Sequence, residues 1–126
     1  MEALTVREIA PAAAAPLLAG MERLDPRGLM APQDVERMAH DGRCFAVTGP
    51  RASAIYVLHV RNGCAWVAAA RGEGDMDVTA VLDELMTQQA AGLDALACQT
   101  ARPGLVRKLQ RRGWRVTGWV LRKELT

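Results

Sequence analysis

Two short apolar runs, residues 54–60 and 64–69, are separated by Arg61-Asn62-Gly63, and this pattern constrains the chain more than any other. A type I′ turn needs positive φ at both central residues, which Asn-Gly supplies at little cost, and its twist matches that of two flanking strands. The pattern predicts an antiparallel hairpin. A third run, Cys44-Phe45-Ala46-Val47, precedes it across Gly49-Pro50, so the middle of the chain is β in character. With 126 residues, half of them apolar, the chain suits one compact domain over 1–126.

Around this β centre the spacing predicts helices. Leu4-Thr5-Val6-Arg7-Glu8-Ile9 alternates as a half-buried strand should, and a helical stretch follows Pro11, with Pro16 placed in the first turn of a helix that starts late. After a break at Asp25-Pro26-Arg27-Gly28, residues 32–41 read as a second helix with Val35, Met38 and Ala39 on one face and Gly42 as its stop. Val78, Val81, Leu82, Leu85 and Met86 repeat at helical spacing behind Asp77 as N-cap, and residues 93–98 return to strand. Pro103 opens a last helix that Gly113 ends, with Leu105, Val106 and Leu109 facing inward. Residues 114–121 are expected to form a final strand, bent at Gly118. The element order is β-α-α-β-β-β-α-β-α-β, an α/β chain with an antiparallel front half and a β-α-β back half, hence a mixed sheet.

Between the apolar run at 64–69 and the helix behind Asp77 lies Arg71-Gly72-Glu73-Gly74-Asp75-Met76-Asp77. A glycine-rich strand-to-helix junction lets backbone approach a ligand closely, and the helix N-terminus beyond it attracts anions. Three carboxylates in the same stretch oppose an anion. A purely structural reading is open as well: Asp75 or Asp77 caps the helix, and the glycines turn the chain.

Composition excludes several functions. No apolar run approaches the roughly 20 residues of a membrane span, and the N-terminus lacks the basic n-region of an export signal, so a soluble, cytoplasmic protein without a membrane partner is expected. Cys44, Cys64 and Cys98 are odd in number and widely spaced, which predicts buried free thiols rather than a disulfide framework or a metal site. Residues 1–101 carry 8 basic and 13 acidic side chains, whereas residues 102–126 carry 8 and 1, so a net charge of +2 conceals a basic tail. Helical spacing explains those charges as a solvated face, and nucleic acid is not expected as a partner.

The element order, with Arg71-Gly72-Glu73-Gly74 between the fourth strand and third helix, resembles the GNAT superfamily of N-acetyltransferases. Leu109-Gln110-Arg111-Arg112-Gly113-Trp114 is similar to that family's closing helix and its turn, and residues 99–125 resemble the tail of small GNAT-like proteins encoded by bacteriophages. The resemblance implies acyl-CoA-dependent transfer of an acetyl group to an unidentified amine, with acetyl-CoA as co-substrate, and it allows a homodimer. It further implies that Arg71, Gly72, Glu73, Gly74, Asp75 and Met76 hold the CoA pyrophosphate.

The chain departs from the family where chemistry is concerned. Asp75 and Met76 stand where the resemblance implies small, uncharged residues, and Leu109 replaces the tyrosine that protonates the CoA thiolate. Residues 64–70 contain no carboxylate to serve as base. The titratable candidates left are His59 with Tyr56 on the preceding strand, and Glu73, because a neutral imidazole or a carboxylate can take a proton from an amine. Cys98 could face the thioester. A GNAT-shaped binding or assembly protein, with a basic C-terminal surface for a polyanion, is the alternative.

Overall fold

The computed structural model describes residues 4–24, 31–75, 77–100 and 102–125. Five strands lie side by side in chain order: β1 (Thr5–Ile9), β2 (Arg43–Thr48), β3 (Ala52–Arg61), β4 (Cys64–Gly74) and β5 (Ala95–Cys98). The first four are mutually antiparallel, and β5 runs parallel to β4. The β3–β4 hairpin turns at Asn62 and Gly63, with φ of 51° and 75°, as the Asn-Gly pair requires.

Helices cover both faces. On one, α1 (Pro11–Leu18) and α2 (Pro32–Asp41) bury Ala14, Leu18, Val35 and Ala39 against Cys44, Ile55, Val57 and Ala69. On the other, α3 (Val78–Gln89) packs Leu82 and Met86 on Phe45, Val47, Ala54, Tyr56 and Leu58. Residues 44–47 and 54–58 are therefore buried at every position, the reason β2 and β3 read as continuous apolar runs rather than alternating ones. Short α4 (Pro103–Gln110) packs on α3.

Three expectations are corrected. Helix α1 starts at Pro11, so Pro16 lies inside it and not in a late first turn. Pro11 already supplies the N-terminal φ, and Ala14 and Leu18, four residues apart and both fully buried, fix the helix phase. Residues 114–121 form no strand: although apolar, they find no partner edge among the described residues, and Trp119 is 87 % exposed. All three cysteines are free, but only Cys44 is buried; Cys64 and Cys98 are half-buried because β4 and β5 lie at the thinly covered side of the sheet.

Candidate active site

The site begins with a misfit between two strands. Opposite β4, Val57 faces Ala69 while Leu58 faces Val67, so Ala68 is one residue too many for its partner strand. Such a bulge bends the strand and strengthens its twist. The parallel pairing of β4 with β5 stops at this point, at Val67 and Cys98, although β4 continues to Gly74. β5 ends there, at Cys98, and leaves the β4 edge. The β4 edge over residues 68–74 then faces no strand on its β5 side among the described residues.

Beside that edge lies a slot of about 580 Å³, within the range of small-molecule pockets. Val67, Ala70 and Gly72 of β4 form one wall and Cys98 with α4 the other, while Val78, Leu82 and Met86 of α3 line it between them. Arg102 and Lys108 bring positive charge to the α4 wall, which otherwise presents Leu105 and Leu109. Burial pushes the Cys98 thiol pKa up, so it keeps its proton at neutral pH. The slot thus combines an apolar lining with a β4 edge that no strand pairs among the described residues, and it carries the cations of Arg102 and Lys108 as well as the carboxylates of Asp77 and Asp83.

Asp83 ties the second wall to α3. Its carboxylate, with the side chain only 12 % exposed, accepts from Arg112 Nε at 2.7 Å and from the Trp114 indole Nε1 at 2.8 Å. The Trp114 amide donates to the Leu109 carbonyl at 3.0 Å, closing the turn after α4. Neither interaction was visible in the sequence, since the partners of Asp83 lie 29 and 31 residues away. The sequence reads Arg102 and Lys108 as a solvated face or as part of a basic surface for a polyanion, without linking them to the glycine junction.

The glycine junction is explained by packing. A Cβ on Gly72 would stand 2.5 Å from Val78 Cγ1, so the bare backbone is what lets α3 start directly on β4. Gly74 has φ of +98°, and a Cβ there would meet the Arg51 carbonyl at 2.3 Å. The Asp75 amide donates to that same carbonyl at 3.0 Å, and its carboxylate lies 3.7 Å from Arg51 Nη1. Asp77 caps α3, accepting from the Ala80 amide at 3.2 Å.

Of the residues expected at the pyrophosphate, Arg71 and Gly72 border the slot, while Glu73, Gly74 and Asp75 do not; Met76 lies outside the described residues. The Arg71 guanidinium donates from Nη1 to the Ala19 carbonyl at 3.2 Å and lies 4.0 Å from Glu73 Oε1, which draws its charge toward the end of α1. Asp77, one residue past that set, does border the slot. The proton-transfer candidates are dispersed. His59 lines a different cavity, of about 450 Å³, beside Phe45, Leu58 and Gln89, with Nε2 3.5 Å from Arg61 Nη2. Glu73 is exposed at the end of β4. Tyr56 is buried, and its hydroxyl donates to Gln89 Oε1 at 2.6 Å; burial raises its pKa, so it is a neutral phenol committed to that bond.

Comparison with solved structures places this geometry among known folds. A Pyrococcus furiosus protein solved as a candidate acetyl transferase superposes with a TM-score of 0.64 at 10 % identity, over 98 % of this chain and 100 % of that one. The ribosomal-protein-alanine N-acetyltransferase of Brucella melitensis biovar Abortus 2308 gives a TM-score of 0.58 at 15 % identity, over 98 % and 99 % of the two chains. No protein-family profile and no curated protein matches the sequence. The chain shares the fold of these two proteins, a GNAT-like mixed five-stranded sheet flanked by helices.

Proposed function

We propose that the chain is an acyl-CoA-dependent N-acyltransferase whose donor lies in the slot between β4 and β5. The observation that carries this reading is the end of β5 at Cys98, which leaves the β4 edge over residues 68–74 without a strand partner on that side among the described residues, beside the slot. An extended ligand bearing amide groups fits such an edge, because it can pair with the strand as another strand would. Gly72 removes the side chain that would hold it off, and Arg102 and Lys108 suit its phosphates. Bound there, acyl-CoA supplies an activated acyl group as a thioester to an amine.

The chain's own residues act chiefly by position. Ala70, Gly72 and Cys98 border the same channel, and holding two reactants in line can supply much of a barrier on its own, about 7–11 kcal/mol in favourable cases. Cys98 keeps a proton at Sγ on the slot wall. His59 and Glu73, which do not border the slot, would take the proton of the amine only through an intervening water. The three free cysteines fit a reducing compartment, in keeping with a cytoplasmic enzyme.

Saturating CoA, near 100 times its dissociation constant, should stabilise the fold by about 2.7 kcal/mol, read as a rise in melting temperature, and acetyl-CoA with a panel of amines should release free thiol. No thermal shift at millimolar CoA would sink the proposal. A shift without thiol release from any amine would leave binding and remove transfer.

Asp77 is the one carboxylate of the junction that borders the slot, and its charge opposes phosphate at the start of α3. Asparagine caps a helix about as well as aspartate. Asp77→Asn should therefore keep the melting temperature and tighten CoA binding, by about threefold to tenfold after solvent screening of the charge. Weaker binding would mean that the phosphates lie elsewhere.

A further inference from the structure

His59 and Gln89 take no part in the slot, yet they meet in the cavity of about 450 Å³ at the other end of α3. Among the described residues the two cavities share no lining side chain: α3 starts at the slot with Val78 and ends at this cavity with Gln89. Phe45, Leu58, Ala65 and Leu93 give the cavity an apolar floor, and its volume lies within the roughly 300–1,000 Å³ of small-molecule sites.

The polar groups around that floor are fixed and incompletely used. The buried Tyr56 hydroxyl donates to Gln89 Oε1 at 2.6 Å, which settles how the carboxamide faces and leaves both Nε2 hydrogens without an acceptor among the described residues. Glu8 holds the Arg43 guanidinium side-on, accepting from Nε at 3.1 Å and from Nη2 at 2.7 Å. That guanidinium also lies 5.4 Å from the centre of the Phe45 ring, so its orientation is set while Nη1 keeps its hydrogens. Arg61 can only donate to His59 Nε2, at 3.5 Å, so Nδ1–H is the donor that the ring has left.

Asp41 is the one carboxylate that lines the cavity among the described residues. It is the last residue of α2, as Gln89 is of α3, and helix C-termini favour positive charge. Arg43 and Arg61 balance Glu8 and Asp41 in charge, so the surroundings suit a zwitterion better than a free anion or a free cation.

We propose that this cavity binds a free α-amino acid with an apolar side chain. The side chain rests on Phe45 and Leu58, the carboxylate accepts from Gln89 and Arg43 with His59 as a further donor, and the ammonium meets Asp41. Opposite charges at the two polar ends of the ligand set its orientation over the apolar floor. The proposal stands apart from the acyltransfer reading, because the site lies outside the slot.

L-leucine and L-phenylalanine at millimolar concentration should raise the melting temperature. In NMR spectra of the labelled protein they should move the methyl signals of Leu58, Val60 and Leu93, while those of Val67, Leu82 and Leu105 at the slot stay in place. Leucinamide, which lacks the carboxylate, and isocaproate, which lacks the ammonium, should each bind about tenfold more weakly or worse. Gln89→Glu keeps an acceptor for Tyr56 and replaces the free N–H donors by a charged oxygen, so it should keep the fold and weaken leucine binding by about tenfold or more. Arg43→Met, at an exposed side chain, should act in the same direction. No binding of either amino acid, equal binding of leucinamide or isocaproate, or unchanged affinity in either variant would overturn the proposal. Binding that moves the slot methyls instead would make leucine a ligand of the slot and overturn it as well.

Discussion

Gly74→Val should destabilise the protein by about 3 kcal/mol or more, combining the strain of a β-branched residue at positive φ with the overpacking of a closed site. The position has φ of +98°, and its Cβ would lie 2.3 Å from the Arg51 carbonyl and 2.6 Å from Ala52 Cα. Both obstacles are backbone, so no rotamer change relieves them. Gly92 provides the comparison: it has φ of +89° but no atom within 4 Å of an added Cβ. Gly92→Val should show the conformational term alone, about 1–2 kcal/mol. Thermal denaturation of the two variants separates the contributions, and equal losses would show that the close approach of β3 to the end of β4 is absent in solution.

Ala70→Phe should abolish CoA-induced stabilisation while leaving the fold intact. Ala70 is exposed at its place on β4 and borders the slot, so a phenyl group there occupies the channel rather than the core. Surface substitutions away from special features usually change stability by less than about 0.5 kcal/mol. Ser53→Phe, on an exposed β3 position that does not border the slot, serves as control and should bind CoA like the wild type. Wild-type affinity in the Ala70 variant would remove the slot as the donor site. Loss in both variants would point to a general effect of a surface phenyl group.

Much of the fold could be read because much of it is local. The Asn62-Gly63 turn, the Asp77 cap and the Pro103 start each depend on residues within one turn of one another, and each appears where the spacing predicts it. Pro16 was misplaced because its position is decided by Ala14 and Leu18, which are buried by distant strands. The last strand failed for a related reason. Apolar residues at 116, 119, 120 and 121 state that a segment can pair, yet pairing requires a free edge within reach, and Asp83 holds the start of this segment away from β5.

At the candidate site the sequence marks the junction, and the structure shows what its residues touch. The strand-glycine-helix junction marks where β4 gives way to α3, but its glycines serve Val78 and Arg51, and its charges serve a cap and a surface ion pair. Beside the slot lies the bulge at Ala68, hidden in the run Ala68-Ala69-Ala70, where nothing in the residue types distinguishes one alanine from the next. A bulge is a property of two strands in register. His59 and Glu73 are titratable and sit on the right strands, yet strand identity does not say which face or which end of the sheet a side chain reaches.

By itself, then, the sequence determined the elements up to α4 apart from the start of α1, the antiparallel hairpin and the β-α-β turn at the glycine junction, because short-range sterics, capping and hydrophobic period act between near neighbours. Only the tertiary structure decided where β4 leaves β5, which cations border the resulting slot, and that the tail stands off from the sheet edge. Those outcomes rest on register and on contacts such as Asp83 with Trp114, made between residues far apart in the chain, whose energies no local pattern encodes.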